Sequence, residues 1–152
     1  MGIHIALVAP QIPPNTGNIA RLCAATGTTL HLVEPLGFAI DDQALKRAGL
    51  DYWDAVDLWV HADWAAFREV ISAERCLYFS ARATPDYWDA PYQDRCCLVF
   101  GSETDGLPEA IREADPDRFY RIPMTGPVRS LNLATAAGIV LYEAVRQLNS
   151  RA

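Results

Sequence analysis

Polar residues of the kinds that handle phosphates, riboses and purines gather at three places in the 152-residue chain, each just after an apolar run. The first is Pro13-Pro14-Asn15-Thr16-Gly17-Asn18-Ile19-Ala20-Arg21. Asn15 or Asn18 could cap a helix start here. Arg21 lies three residues after Asn18, so the two polar groups could converge, and an arginine in a first turn opposes the helix dipole and needs an anionic partner, a phosphate or a carboxylate. The second place is Phe100-Gly101-Ser102-Glu103-Thr104-Asp105-Gly106-Leu107-Pro108, whose two glycines permit a tight turn and close backbone approach to a ligand. Leu107 and Pro108 stand where a phosphate loop needs Lys and Ser or Thr, and no G-x-G-x-x-G occurs, so nucleotide triphosphate and dinucleotide binding are unsupported. Glu103 and Asp105 make the loop fit a neutral or cationic ligand better than an anionic one. The third runs from Arg121 to Asn132, stiffened by Pro123 and Pro127 and turned at Gly126. Ser130 or Asn132 can cap the helix that follows, and capping accounts for one of them but not for both along with Arg129. Backbone groups of the second and third loops could hold a purine by its edges, with apolar side chains over the ring.

The elements that must position these loops are legible from hydrophobic period and from Gly and Pro punctuation. Strands are expected at His4 to Ala9, Thr28 to Val33, Leu58 to His61, Leu77 to Ser80, Leu98 to Phe100 and Phe119 to Ile122. Helices are expected at about Asn18 to Ala25, Asp41 to Ala48, Trp64 to Ser72 and Pro108 to Ala114, with an amphipathic C-terminal helix from about Leu131. Strands alternating with helices, several of them apolar throughout, give an α/β class, a mostly parallel sheet with helices on both faces. In such sheets ligands sit outside the carboxyl ends of the strands, where all three polar loops fall.

Composition narrows the reading. A length of 152 residues gives one domain, residues 1–152. With 51% hydrophobic and 21% charged residues the chain is ordinary globular sequence, and no apolar run approaches the ~20 residues that span a bilayer. The N-terminus shows no signal or transit peptide, so a cytoplasmic location is expected. The four cysteines show no metal-binding spacing, and His4, His31 and His61 lie about thirty residues apart, so packing roles and no metal are expected. Net charge is −6, against broad non-specific nucleic-acid binding. The acidic excess sits in residues 51–117, while Arg118, Arg121, Arg129, Arg146 and Arg151 leave the last third positive and able to form a local patch. Twelve of the thirteen basic residues are arginine, which suits discrete bidentate phosphate contacts.

Taken together, N-x-G-N-I-x-R, F-G-x-E-x-x-G-L-P and I-P-M-x(4)-R-S-L-N-L resemble the three motifs of the SPOUT class of RNA methyltransferases over nearly the whole chain. The segments Glu34-Pro35-Leu36-Gly37-Phe38 and Lys46-Arg47-Ala48-Gly49-Leu50-Asp51-Tyr52 resemble the small tRNA (cytidine/uridine-34)-2'-O-methyltransferases of the TrmL or YibK type. The resemblance implies a SPOUT fold with a C-terminal trefoil knot, S-adenosylmethionine as cofactor, the anticodon stem-loop of tRNA as substrate and a homodimer. It places the cofactor on Phe79, Gly101, Ile122, Ser130 and Leu131. Arg21, Asn15, Glu103 and Asn132 become the catalytic group, Arg21 holding phosphate or ribose rather than acting as a base, because a guanidinium does not give up its proton near neutral pH. Glu103 is expected to be able to steady a neighbouring arginine. Arg82 and Arg129 match basic positions expected to touch RNA, whereas Asp105 stands where relatives commonly carry a basic residue. The alternatives are a methyltransferase acting on another tRNA or rRNA ribose and a catalytically silent RNA-binding module. The lack of an RNA-binding extension in the sequence favours the wobble nucleotide.

Overall fold

A computed structural model describes residues 2–41, 43, 45, 47 and 50–151. Among the elements whose bounds fall within the described residues, six strands alternate with four α-helices: β1 (His4–Val8), α1 (Pro13–Thr26), β2 (Thr29–Val33), β3 (Leu58–His61), α2 (Trp64–Val70), β4 (Cys76–Phe79), β5 (Cys97–Phe100), α3 (Glu109–Ala114), β6 (Phe119–Tyr120) and α4 (Leu133–Arg151). The strands form one sheet in the order β3-β2-β1-β5-β4-β6, and every pairing is parallel. The expected α/β class is the one observed. Of the expected helix at Asp41 to Ala48, residues 42, 44, 46 and 48 lie outside the described residues, and of the segment Lys46 to Tyr52, residues 46, 48 and 49 do.

Strand period explains the two cores. Ile5, Leu7, Leu30, Leu32, Leu77 and Leu98 point to one face, where α1 contributes Ile19 and Cys23 and α4 contributes Ala137, Val140, Leu141 and Ala144. Ala6, Val8, Tyr78 and Val99 point to the other, against Phe67 of α2 and Ile111 of α3. Each fully buried leucine contributes about 2 kcal/mol. All four cysteines are free and buried in these layers, and burial pushes the Cys23 thiol up to about 12.

Two local expectations need correction. Helix α1 starts at Pro13, five residues before the expected Asn18, because proline is tolerated at the first helical positions, where the missing N–H has no partner in any case. Neither Asn15 nor Asn18 is therefore the cap; that position is Ile12, with no side-chain cap bond. Arg21 then lies in mid-helix rather than in a first turn, and the dipole conflict disappears. At the other end Gly27 closes α1 with φ 66°, the left-handed turn expected of it.

The histidines are the second surprise. Although about thirty residues apart in sequence, their rings stack in a ladder, His4 Nδ1 to His31 Nε2 at 2.9 Å and His31 Nδ1 to His61 Nε2 at 2.9 Å. Phe67 meets the rings of His31 and His61 edge-on. Burial, with His4, His61 and Arg75 adding to it, holds His31 down to about 3 from the ordinary imidazole value. The unfolded chain takes up a proton below about pH 6.5 while the folded chain does not until about 3, so stability is complete above that window and is lost as pH falls through it. His31 should contribute a slope of up to about 1.4 kcal/mol per pH unit. Urea unfolding between pH 7 and 5 should show a shallower decline for His31→Phe than for the parent; parallel declines would refute this.

Candidate active site

At the carboxyl edge of the sheet a cavity of about 780 Å³ opens between the second and third polar loops and the start of α4. Of the residues singled out in the sequence, Asn15, Phe79, Arg82, Gly101, Glu103, Ile122, Ser130, Leu131 and Asn132 all line it. Arg21 does not, since it sits on the exposed face of α1 roughly 9 Å along the axis from Asn15. Arg129 is also exposed and outside the wall. The parallel arrangement delivers β1, β4, β5 and β6 to the same edge, so loops far apart in sequence must meet there.

A chain of hydrogen bonds locks the three loops together. Glu103 accepts the backbone N–H of Gln11 at 2.8 Å and of Ile12 at 2.9 Å, and the Asn15 Nδ2 at 3.2 Å. Asn15 Oδ1 accepts from Asn132 Nδ2 at 3.0 Å, and Asn132 Oδ1 accepts the backbone N–H of Thr135 at 3.1 Å. Carboxylates only accept, so this chain fixes the orientation of both amides in turn. It also resolves the capping question: Asn132 caps α4, while the carboxylate of Glu103 sits at the N-terminal entry of α1, where negative charge is favoured. Its recorded partners are main-chain N–H groups and Asn15; it forms no ion pair among the described residues. Glu103→Ala strands three donors and should lower the unfolding free energy by about 2 kcal/mol, with a smaller loss for Glu103→Gln. Unchanged urea midpoints would show that the chain does not hold the loops.

The walls are suited to a ligand with neutral and cationic parts. Phe79 is the last residue of β4; it stacks on Phe100 at 5.3 Å between centroids and presents an aromatic surface to the cavity beside Ile122, Met124 and Leu131. Gly101 packs directly on the backbone of Gly106 and Leu107, in a loop closed by a Ser102–Gly106 bridge. Among the lining residues Arg82 is cationic and Glu103 and Asp105 are anionic, a balance that disfavours a polyphosphate and accepts an adenosine carrying a sulfonium. The volume lies within the range of ordinary ligand pockets, about 300–1,000 Å³.

The expected C-terminal cationic patch does not form as one surface. Arg121 pairs with Asp86 at 2.9 Å, Arg146 pairs with Glu143 at 2.8 Å, and Arg118 donates to the carbonyls of Cys76 and Glu74. Arg82 and Arg129 stay exposed near the cavity. Sequence reasoning missed Arg112, whose Nη2 donates to Ser80 Oγ at 2.9 Å at the cavity wall while its guanidinium lies over Phe119. Its three-residue offset from Glu109 on an otherwise acidic helix was too common a pattern to signal this.

Comparison with known proteins agrees with this geometry. Residues 2–142 match the model of the SpoU rRNA Methylase family. The chain is 48% identical over 147 residues to the tRNA (cytidine(34)-2'-O)-methyltransferase of Escherichia coli strain K12, a match covering 96% of this chain and 94% of that protein. Among solved structures, one concerning the 2-OH methylation of C/U34 on tRNA superposes with a TM-score of 0.91 at 47% identity, over 98% of this chain and 97% of that one. The SpoU methyltransferase AviRb from Streptomyces viridochromogenes, in complex with AdoMet, superposes with a TM-score of 0.86 at 27% identity, over 96% of this chain and 57% of that one.

Proposed function

The chain belongs to the SpoU rRNA methylase family, and from that premise we propose that it transfers a methyl group from S-adenosylmethionine to the ribose 2'-hydroxyl of the wobble nucleotide, cytidine or uridine 34, of tRNA. The observation that carries this reading is the meeting of three polar loops on one cavity, tied by the Glu103–Asn15–Asn132 chain. S-adenosylmethionine supplies an electrophilic methyl on a sulfonium. Backbone groups at Gly101, Ile122, Ser130 and Leu131 would hold its adenosine, with Phe79 offering an aromatic surface.

Arg21, on the exposed side of α1, would hold a substrate phosphate or the ribose and so position the 2'-hydroxyl for transfer. Glu103, Asn15 and Asn132 keep the cofactor loop, α1 and α4 in register, so that what Arg21 holds and what the cavity holds stay aligned. Arg82 and Arg129 take phosphates of the anticodon stem-loop. Homodimer formation, a cytoplasmic location and the C-terminal knot belong to the same proposal. A 152-residue chain presents little surface to a tRNA on its own, and Tyr142 of α4 is 53% exposed, as a residue awaiting a partner would be. No helix among the described residues is long and apolar enough to cross a membrane.

Purified protein incubated with S-adenosylmethionine and tRNA lacking 2'-O-methylation, followed by digestion and position-mapped mass spectrometry, should yield a 2'-O-methylpyrimidine at position 34. Cofactor binding without any methylated nucleoside from several tRNA pools would overturn the reading.

A further inference from the structure

A second cavity, of about 330 Å³, lies at the opposite, N-terminal edge of the sheet. His4, Thr29, Asp57, Arg75 and Arg95 border it, each at or just before the start of a strand. Arg75 Nε donates to the carbonyl of Arg95 at 2.8 Å, which uses one of its five N–H donors, and neither arginine forms an ion pair among the described residues. The nearby carboxylates are engaged: Asp57 accepts from Thr29 Oγ1 and Trp59 Nε1, both at 3.1 Å, and Asp94 accepts the backbone N–H of Gly2 at 2.9 Å. Arg95 has a φ of 68°, a left-handed conformation that costs a side-chain-bearing residue about 1 kcal/mol. Burial, then Arg75, with Arg95 also contributing, holds His4 below the usual imidazole range, while Asp57 acts in the opposite direction.

We infer that this cavity is a binding site for a phosphate-class oxyanion, held by Arg75, Arg95 and the Nε2–H of His4. The histidine ladder makes occupancy visible at a distance. His4 pairs with Thr29 in the sheet, His31 with Ala6 two residues further along β1, and His61 with Val33 two residues further along β2, so the rings climb diagonally from the cavity to the end of β3. A neutral imidazole carries one N–H, so two ring-to-ring bonds admit two arrangements. In one, His4 Nε2 is a bare lone pair that repels an oxyanion. In the other it is an N–H that donates to one, and His61 Nδ1 is bare. Switching between them takes up one proton at His4 Nε2 and releases one at His61 Nδ1, with no net change in charge.

The chain has three histidines, so long-range ¹H–¹⁵N spectra of the full-length protein labelled at histidine contain three ring systems. Titration with inorganic phosphate, against sodium chloride at equal ionic strength, should move His4 Nε2 toward the protonated signature and His61 Nδ1 toward the bare one. The Arg75→Ala/Arg95→Gly variant, in which glycine suits the left-handed backbone, should raise the half-saturation point about tenfold or more. Retained S-adenosylmethionine binding at the far edge verifies that the variant is folded. No phosphate-specific change, or one undiminished in the variant, would overturn the inference. The response to unmodified tRNA decides the source: ring shifts at micromolar tRNA support an RNA backbone phosphate, and shifts with inorganic phosphate alone support a free one.

Discussion

Arg21→Ala should lower the single-turnover rate of methyl transfer about a thousandfold while leaving the dissociation constant for S-adenosylmethionine nearly unchanged. The side chain lies on the exposed face of α1 and outside the cavity wall, so its removal takes nothing from the cofactor's surroundings. The loss is one of positioning: a bidentate hold on phosphate or ribose is replaced by a freely moving 2'-hydroxyl, and misplacement by about 1 Å costs about a hundredfold. Arg21→Lys should recover only part of the rate, because an ammonium keeps the charge and loses the planar fork. Calorimetric titration with the cofactor beside single-turnover kinetics separates the two effects. A tenfold loss of cofactor affinity in Arg21→Ala would place this residue in the wrong role.

Much of this arrangement was legible in the residues, and the parts that were not share a cause. Strand limits followed from apolar runs and came out within about two residues, because in a parallel sheet covered on both faces the strands are short and apolar throughout. The site's location followed from topology, since loops after parallel strands share an edge. The start of α1 was misplaced because proline both breaks helices and opens them, and the sequence around Pro13 and Pro14 does not say which.

Contacts between elements depend on register, which lies outside local sequence. The ladder of His4, His31 and His61 needs β1, β2 and β3 side by side and each ring two residues further along the neighbouring strand's register. Spacing in the chain argues against such a cluster, yet all three histidines sit in apolar strands, and that was the available signal. The arginines of the last third failed as a patch for the same reason: Arg121 is neutralised by Asp86, thirty-five residues earlier and brought alongside by an isolated bridge between the two segments.

The glycines of the second and third polar loops should rank sharply by substitution to alanine. At Gly101 a Cβ would overlap the main-chain carbon of Gly106 and nitrogen of Leu107, atoms that cannot swing aside as a side chain would. The Ser102–Gly106 backbone pair and the Asp105 N–H to Ser102 Oγ bond at 2.9 Å close the loop around that contact. Gly101→Ala must therefore open the loop and drag Glu103 from Gln11, Ile12 and Asn15, costing about 3 kcal/mol of stability and at least tenfold in cofactor affinity. Gly106 has open space around its missing Cβ but a φ of 67°, so Gly106→Ala should cost about 1 kcal/mol from backbone strain alone. Gly126 has neither obstacle, and Gly126→Ala should stay within about 0.5 kcal/mol of the parent. Urea unfolding and S-adenosylmethionine titration of the three variants test the order. A Gly101→Ala protein with parental affinity would mean that the loop's tight closure is not what shapes the cofactor site.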